Sequence, residues 1–404
     1  MGALQAPVLD DDPFAVDVLA DPYPFHRRLR DAGPVVYLPR YGVWAMARHA
    51  EVAQALSDWE TFSSAAGVGL ADFRREPPWR PPSLLLEADP PGHDEVRRPV
   101  LHVMTPKTLE ALRPAFEAAA EALVERLVAR GAFDGVTDLA EVYPVQVFAD
   151  AVGLPAGGRH HLLGYAAMVF NAFGPRNALF EAAFAGRAPV VEWIAAACRR
   201  EALAPGGLGA RIWEAVDRGE ITAEQAPLLV RSLLGAGLDT TISGLGNALW
   251  CLATNPGQYA LLHADPGLAR AAFEETLRVE SPVQTFFRTT TRAVEIGGVE
   301  IPDGAKVLLF MGAANRDPRR FGDDADRYDL HRRTAGHLAF GTGLHVCVGQ
   351  FIARLEGELV LAALARRAAT LTVAGEPVPK PNNTLKGWGH LPVRVTSPRP
   401  AKPG

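Results

Sequence analysis

The stretch HLAFGTGLHVCVGQFIARLE, residues 337–356, places one cysteine among glycines just before a helix. The segment after Cys347, residues 348–367, repeats apolar residues at the three- and four-residue spacing of an amphipathic helix. The cysteine therefore lies at or near a helix N-terminus, where the helix dipole and free N–H groups stabilise a thiolate. Gly341 and Gly343 allow a tight turn and the close approach of a flat group.

Three interpretations of this cysteine remain open. A thiolate at a helix start suits a soft metal, and haem iron is one such centre. The second interpretation is a buried structural cysteine in a turn. The third is a zinc site made by His337, His345 and Cys347, which lacks a fourth ligand at the usual spacing.

Composition excludes several classes of protein. The chain has 404 residues and a net charge of -5, without a basic block, which argues against nucleic acid as a partner. The N-terminus lacks the pattern of a secretory signal, and no run of roughly 18 apolar residues predicts a membrane span. Cys198, Cys251 and Cys347 are odd in number and far apart, which predicts a reducing, cytoplasmic compartment.

Helical patterns dominate the chain. Residues 106–131 carry a helical apolar repeat that ends at Gly131, a plausible position for a helix-terminating glycine. Residues 226–254 are apolar nearly all round, which predicts one long helix through the middle of the protein. We expect a single domain over residues 1–404.

A small β portion is predicted beside the helices. Residues 34–47 read as a hairpin, and residues 294–310 read as two strands with turns at Gly297-Gly298 and at 302–304. The fold class is therefore mainly α with a small β portion, the latter formed mainly by 34–47 and 287–310. Residues 396–404 are expected to form a loose tail.

The segment FGTGLHVCVG, residues 340–349, resembles the haem-binding signature of the cytochrome P450 superfamily. It has a phenylalanine, two glycines two positions apart, a basic residue two before the cysteine and a glycine two after it. The resemblance extends from residue 21 onward and implies the triangular, mainly helical haem–thiolate prism of that family. It further implies haem b (iron protoporphyrin IX) beside Phe340 and Gly341, with Cys347 as the axial ligand of the iron.

Other segments resemble the same family in the same order along the chain. Glu275 and Arg278 match its buried glutamate–arginine pair, whose third partner is either Arg327 or Arg332. The resemblance implies contacts to the two haem propionates from four basic residues: His93, Arg97, Arg288 and His345. His93 and Arg97 are four residues apart and so share one helical face.

The segment AGLDTT, residues 236–241, puts an acid and an alcohol in the middle of the predicted central helix. This is poor helix material. Asp239 could cap the helix or form a salt bridge, and Thr240 could bond back to its own helix. The resemblance instead implies a catalytic pair, in which Thr240 and Asp239 supply protons for the activation of O2.

The sequence resembles one subgroup in particular, bacterial monooxygenases that oxidise para-substituted benzoic acids by O-demethylation of 4-methoxybenzoate or by para C–H hydroxylation. The stretches that carry this likeness are residues 78–91, 169–175, 228–234 and 280–292. The resemblance implies that the substrate carboxylate is received by Arg80, Ser83, Arg231 and Ser232. It implies that the ring lies against Leu86, Phe170, Phe173, Ala236, Val283 and Phe286.

Helix geometry agrees with this assignment. Ser232, Ala236 and Thr240 recur every four residues and so lie on one helix face, over a rise of roughly 12 Å. A benzoate held near Ser232 then points its para substituent toward Thr240. Alternatives stay open: Arg80 could be surface charge, and Phe170 and Phe173 could be ordinary core. The substrate could also be a cinnamate, terpenoid or macrolide, and the protein could be a haem sensor or electron-transfer protein.

The electron donor must be a separate protein, because no flavin-binding or iron–sulfur motif is present. The resemblance implies a [2Fe–2S] ferredoxin reduced by an NADH-dependent reductase, and we expect a monomer. Such ferredoxins are usually acidic, so Arg97, Arg98 and Arg354 are candidates for a basic docking face around Cys347.

Overall fold

The structure, a computed structural model, describes residues 5–397. About 51% of the chain is helical and about 12% is strand, which confirms the prediction of a mainly α protein with a small β portion. Thr396 belongs to the last strand, and the rest of the predicted tail, from residue 398, lies outside the described residues.

Helices make up the body of the protein. The α-helices among residues 5–397 are α1 (Val16–Ala20), α2 (Tyr23–Ala32), α3 (His49–Ser57), α4 (Gly92–Val103), α5 (Pro106–Arg130), α6 (Val142–Val152), α7 (His161–Asn171), α8 (Ala178–Phe184), α9 (Arg187–Ala197), α10 (Leu208–Asp217), α11 (Gln225–Ala236), α12 (Asp239–Thr254), α13 (Pro256–Ala264), α14 (Ala269–Val279), α15 (Met311–Ala314), α16 (Pro318–Phe321) and α17 (Gln350–Arg367). A π-helical segment covers Gly135–Ala140, and short 3-10 turns cover Arg200–Ala202, Pro266–Leu268 and Gly343–His345.

Within residues 5–397, the strands form four small sheets. They are β1 (Val36–Leu38), β2 (Val43–Met46), β3 (Phe62–Ser63), β4 (Ala132–Asp134), β5 (Thr285–Thr290), β6 (Val294–Ile296), β7 (Val299–Ile301), β8 (Lys306–Phe310), β9 (Thr370–Val373), β10 (Val378–Pro379), β11 (Trp388–His390) and β12 (Pro392–Thr396). The largest sheet has the order β1-β2-β8-β5-β3, in which only the β2–β8 pair is parallel. The other sheets are β4-β12-β9, β10-β11 and β6-β7.

The helix predicted to end at Gly131 is present as α5. The Thr105 side chain accepts a hydrogen bond from the backbone N–H of Thr108 at its start, which satisfies one of the free donors there. Gly131 adopts φ 73° at its end, a left-handed conformation that favours glycine.

The β segments follow the predicted alternation with one difference. Residues 34–47 contain the expected hairpin, in which Tyr37 pairs with Trp44. Residues 294–310 contain three strands instead of the predicted two. The turn at Gly297-Gly298 joins β6 and β7, whereas β8 pairs with β2 and β5 in the main sheet. All five residues of β8 are buried, so this strand belongs in the interior of the sheet.

The central helix is broken, which corrects the prediction of one helix over residues 226–254. α11 ends at Ala236 and α12 begins at Asp239. The Thr240 hydroxyl donates to the Ala236 carbonyl at 2.7 Å, and the Thr241 hydroxyl donates to the Gly237 carbonyl at 3.2 Å. Side-chain hydroxyls that bond the carbonyl four residues back bend helices, and here two follow one another.

A buried ion cluster ties α14 to the segment before α17. The fully buried guanidinium of Arg278 meets both carboxylate oxygens of Glu275 at 2.7 and 2.8 Å. The Arg332 side chain donates to the same carboxylate at 3.1 Å, whereas Arg327 contributes only its backbone carbonyl, to Arg278. Arg332 is therefore the third charged partner that the sequence left undecided.

Candidate active site

A cavity lies between the break in the central helix and the loop before α17. Cys347, Phe340 and Gly341 line it on the loop side, and Ala236, Gly237 and Thr240 line it on the helix side. The cavity therefore joins the two features that the sequence singled out.

Cys347 sits at the floor of this cavity. Its backbone N–H donates to the Phe340 carbonyl at 2.9 Å, which closes the loop. Burial raises the pKa of the Cys347 thiol, while the backbone N–H of Gly349 and the charge of Arg97 lower it. The helix start thus favours a thiolate less than the sequence predicts, and a coordinated metal ion would supply the remaining stabilisation.

The glycines before the cysteine are required by the backbone. Gly341 and Gly343 have φ of 68° and 69°, and a Cβ on Gly343 would lie 2.8 Å from the Cα of Ser57. The Arg354 guanidinium lies over the Phe340 ring, 4.3 Å from its centroid. The loop is therefore held in one conformation with its open side toward the cavity.

The geometry contradicts the zinc interpretation. His337 Nε2 hydrogen-bonds Glu274 at 2.9 Å, and His345 Nδ1 hydrogen-bonds the Leu85 carbonyl at 3.1 Å. Within residues 5–397, no group of three or more histidine, cysteine or acidic side chains could hold a metal ion. The two histidines are committed to partners on different segments, His337 to α14 and His345 to the loop before α4.

Four basic side chains lie beside the cavity: Arg97, Arg288, His93 and His345. Among residues 5–397 only His93 has a carboxylate neighbour, Asp94, whose Oδ1 lies 2.9 Å from its Nδ1. Arg288 is buried, and in the part of the chain that the structure describes its guanidinium donates only to the Phe287 carbonyl, at 2.9 Å. Burial lowers the pKa of Arg288 to about 10. The rings of His93 and His345 are 4.7 Å apart, and the Nε2 atoms of both are buried and lack a partner among residues 5–397.

These groups fit haem b. A flat macrocycle with two carboxylates would fill the space above Cys347. It would give carboxylate partners to Arg97, to Arg288 and to the unpartnered Nε2 atoms of His93 and His345. The orphaned histidine nitrogens are the observation behind this fit, because buried polar atoms are normally satisfied.

Asp239 and Thr240 lie at the helix break, and only Thr240 lines the cavity. Asp239 is 3% exposed, and burial raises its pKa. Its carboxylate lies 3.8 Å from Nζ of Lys380, whose side chain is 43% exposed. Both simple alternatives are thus realised, since Asp239 has an ion-pair partner and Thr240 bonds back to its helix. Thr240 nevertheless lines the cavity, and Asp239 contacts a lysine that reaches the surface.

The residues expected to receive a carboxylate cluster at one end of the cavity. Ser83 and Ser232 bring their hydroxyls to 3.1 Å from each other. The Arg231 guanidinium donates to the Pro81 carbonyl at 2.7 Å. Arg80 is not surface charge, because its side chain is only 11% exposed.

Arg80 differs from the prediction in one respect, because it already has a carboxylate partner. Its guanidinium meets the buried Glu87 side chain at 2.9 Å. Its Nε is also buried and has no hydrogen-bond partner within residues 5–397. Glu87 follows Arg80 in an irregular segment, so no periodic pattern pointed to the pair.

Five of the six predicted ring contacts line the cavity: Leu86, Phe170, Ala236, Val283 and Phe286. Phe173 is outside the lining, which corrects the prediction. Its ring packs behind, 5.9 Å from Phe170 and 5.6 Å from Phe286. The Phe173 carbonyl accepts the Leu70 N–H at 2.8 Å, so the backbone is held against the neighbouring loop and the ring lies one layer out.

Several lining residues were missed from the sequence. Tyr165 and Val169 face the cavity from α7 together with Phe170. Their four-residue spacing was a readable signal of a shared helix face. Lys380 carried no signal, because it meets Asp239 from a distant β segment.

The predicted basic docking face is only partly present. Arg354 is ion-paired with Glu274 and covers Phe340. Arg97 lines the cavity and donates to the Val346 carbonyl. Of the three predicted arginines, only Arg98 is exposed. Separately, none of the helices within residues 5–397 has the length and apolar character needed to cross a bilayer.

Comparison with protein families and relatives gives a consistent result. The family model "Cytochrome P450" matches residues 267–395. Cytochrome P450 CYP199A2 of Rhodopseudomonas palustris is 57% identical over 391 residues, which cover 96% of this chain and 95% of that protein. Cytochrome P450 107B1 of Saccharopolyspora erythraea is 34% identical, over 87% of this chain and 89% of that protein.

Solved structures agree with the sequence comparisons. The structure of cytochrome P450 CYP109Q5 from Chondromyces apiculatus matches with a TM-score of 0.81 and 32% identity, over 97% of this chain and 99% of that one. Cytochrome P450 CREJ in complex with (4-ethylphenyl) dihydrogen phosphate matches with a TM-score of 0.85 and 26% identity, over 95% of this chain and 99% of that one.

Proposed function

The chain belongs to the cytochrome P450 family and is a haem b-dependent monooxygenase with the fold of that family, and we propose that it inserts one oxygen atom of O2 into para-substituted benzoic acids. The reaction on 4-methoxybenzoate is O-demethylation, and on 4-alkylbenzoates it is hydroxylation of the para substituent. Because the chain belongs to a family of monooxygenases, we do not retain the haem-sensor and electron-transfer alternatives.

One observation carries the choice of substrate. Away from the groups assigned to the cofactor, Arg80 and Arg231 lie at one end of the cavity with Ser83 and Ser232, whose hydroxyls are 3.1 Å apart. Thr240 lines the cavity from beyond the break in the central helix, eight residues after Ser232. The walls between them are apolar and aromatic. A flat acid with one substituent opposite its carboxylate matches this distribution.

Charge favours a carboxylate at the polar end. Glu87 already neutralises Arg80, whereas the Arg231 guanidinium donates only to the Pro81 and Pro82 carbonyls among residues 5–397. Burial lowers the pKa of Arg231, because a positive charge held away from water is destabilised. A bound carboxylate offsets that cost through charge-assisted hydrogen bonds.

We assign the cofactor contacts to residues around the cavity floor. Cys347 is the proposed ligand of the haem iron, and Phe340 and Gly341 flank it. The proposed propionate partners are His93, Arg97, Arg288 and His345. When bound, thiolate-ligated haem activates O2 and supplies the oxygen atom for insertion.

Thr240 and Asp239 are the proposed route for protons. The Thr240 hydroxyl lines the cavity and donates to the Ala236 carbonyl at 2.7 Å, so it can hold a proton at Oγ1 on the cavity wall. Asp239 precedes Thr240 in sequence and contacts the half-exposed Lys380. Protons taken from water near Lys380 can therefore pass through the Asp239 carboxyl to the helix break.

The electron donor is proposed to be a [2Fe–2S] ferredoxin, reduced by an NADH-dependent reductase, that binds a monomer of this protein in the cytoplasm. Arg98 is the exposed arginine on α4 that supports charge-guided docking. Replacement of Arg98 by alanine should raise the ferredoxin KM and weaken its dependence on salt. Replacement of Arg40, an exposed arginine between β1 and β2, should change neither.

The substrate proposal is tested by haem absorbance. We expect 4-methoxybenzoate to shift purified enzyme from low to high spin, and its methyl ester to do so far more weakly. Equal affinity for acid and ester would remove the carboxylate argument. A panel with 4-methoxycinnamate and a neutral terpenoid separates the proposed substrates from other aromatic acids and from uncharged molecules.

A further inference from the structure

We infer that Glu87, which lies behind the substrate cavity, makes the polar end selective for singly charged acids over doubly charged ones. This inference rests on the proposed function, because it concerns the same carboxylate-binding end. Glu87 does not line the cavity, so it acts through Arg80 and through its charge.

The geometry fixes Glu87 firmly in place. Its side chain is only 2% exposed. Oε2 accepts the Arg80 guanidinium at 2.9 Å and the backbone N–H of Ser83 at 2.6 Å. The carboxylate therefore holds two groups of the polar end at once, the guanidinium of Arg80 and the backbone that carries the Ser83 hydroxyl.

The charged side chains that line this end or bond to its lining leave a single positive charge. Lys306, which lies outside the lining, also interacts with Glu87, and burial lowers its pKa to about 8. Arg80 and Arg231 each carry one positive charge and Glu87 carries one negative charge. The neighbouring Tyr165 and Cys198 stay neutral, because burial raises the pKa of both groups, that of Cys198 to about 12. One carboxylate balances the end, whereas a second negative charge would be buried without compensation.

Coulomb energy makes this selectivity measurable, because it is proportional to the charge of the ligand. Removing the Glu87 charge should strengthen binding of every anion, and the gain for a dianion should be the square of the gain for a monoanion. If the monoanion gains about threefold, the dianion should gain about tenfold. A neutral ligand should not respond.

The experiment compares haem-loaded wild type with Glu87→Gln, which removes the charge and keeps the shape. The probes are 4-methoxybenzoate, 4-methoxyphenyl phosphate and methyl 4-methoxybenzoate, with dissociation constants taken from spin-state titration and calorimetry. At pH 8 the phosphate monoester is doubly charged. Each ligand is compared only with itself, as the ratio of its affinity for the variant to its affinity for wild type. The size of the ligand contributes equally to both affinities and so drops out of this ratio.

The expected result is a gain for both anions, larger for the phosphate, with the ester unchanged. Weaker binding of both anions would show that Glu87 only positions Arg80 and Ser83, and equal gains would show no selectivity by charge; either result overturns the inference. Glu76→Gln removes a negative charge from an exposed ion pair with Arg176 and should leave all three affinities unchanged.

If Glu87→Gln does not fold, a second pair of variants tests the effect of the Glu87 charge. Arg80→Gln and the double variant Arg80→Gln/Glu87→Gln differ only in the Glu87 charge. The double variant should bind both anions more tightly than Arg80→Gln does. The fold-gain in affinity for the phosphate should be the square of the fold-gain for the carboxylate. Equal affinities in the two variants would overturn the inference. A wild-type enzyme that binds acid and ester equally would instead contradict the proposed function itself.

Discussion

Asp239 and Lys380 form an ion pair that joins the buried helix break to the protein surface, with Oδ1 and Nζ 3.8 Å apart. The carboxylate is 3% exposed, whereas the lysine side chain is 43% exposed. Burial raises the pKa of Asp239, and the Lys380 charge counteracts that rise. The pKa of the nearby Glu141 is raised as well. Burial of Glu141 is the main cause, and the negative charge of Asp239 adds to it.

Lys380→Met should therefore move the acid limb of the turnover profile to higher pH. Without the lysine, the pKa of Asp239 rises further, and the carboxyl stays protonated over more of the pH range. Steady-state product formation between pH 5 and pH 9, at saturating ferredoxin, measures the shift. Lys380→Arg keeps the charge and should keep the wild-type profile. Superimposable profiles for Lys380→Met and wild type would show that the pair has no part in proton supply.

Lys380→Met should also change how the thermal stability of the protein depends on pH. A carboxyl with a raised pKa binds its proton more tightly in the folded than in the unfolded protein, so its ionisation costs stability as pH rises through the folded pKa. Lys380→Met should thus lower the thermal unfolding midpoint more at pH 8 than at pH 5. A loss of the same size at both values would contradict this assignment.

Thr240→Ala should bind substrate normally but divert most reducing equivalents to hydrogen peroxide. The variant loses the hydroxyl at the helix break, which lines the cavity and donates to the Ala236 carbonyl at 2.7 Å. Product and peroxide formed per NADH give the measurement, and Thr240→Ser is the control that keeps a hydroxyl. Unchanged product yield in Thr240→Ala would contradict the assigned role.

Ser232→Ala should weaken binding of 4-methoxybenzoate by about tenfold to a hundredfold, since one hydrogen bond to a charged group contributes about 1.5–3 kcal/mol. Binding of the methyl ester should change little. Spin-state titration of both ligands provides the comparison. Equal losses for acid and ester would mean that the substitution altered the cavity shape, and would leave the Ser232 hydroxyl without a role in anion recognition.

Arg278→Leu should prevent the protein from folding with haem at 37 °C. The guanidinium is fully buried, and its removal leaves Glu275 with Arg332 as its remaining charged partner. Breaking a buried pair costs about 3–5 kcal/mol, a large share of the stability of most domains. Haem content and thermal unfolding report the loss. Arg319→Leu, at an exposed arginine paired with Asp317, should have little effect.

Local sequence patterns predicted much of this site. The glycines before Cys347 and the amphipathic repeat after it placed the cysteine at a helix start. The four-residue spacing of Ser232, Ala236 and Thr240 predicted a shared surface, and all three line the cavity although the helix breaks after Ala236. These signals are readable because backbone conformation and helix period are local properties of the chain.

The remaining features depend on contacts that no local pattern encodes. The central helix breaks where two consecutive threonine hydroxyls donate hydrogen bonds to backbone carbonyls four residues earlier. The apolar sequence pattern continues across this break and gave no sign of it. The choice of Arg332 over Arg327 depends on which side chain turns toward Glu275. Phe173 lies behind the cavity because its backbone is hydrogen-bonded to a loop about 100 residues earlier in the chain.

Product analysis with two positional isomers tests the central claim most directly. Enzyme supplied with O2, NADH, a reductase and a [2Fe–2S] ferredoxin should convert 4-methoxybenzoate to 4-hydroxybenzoate and formaldehyde, close to one of each per NADH consumed. The same mixture should leave 3-methoxybenzoate largely unreacted. Similar yields from both isomers, or NADH consumption without 4-hydroxybenzoate, would contradict a substrate held by its carboxylate with its para group at Thr240.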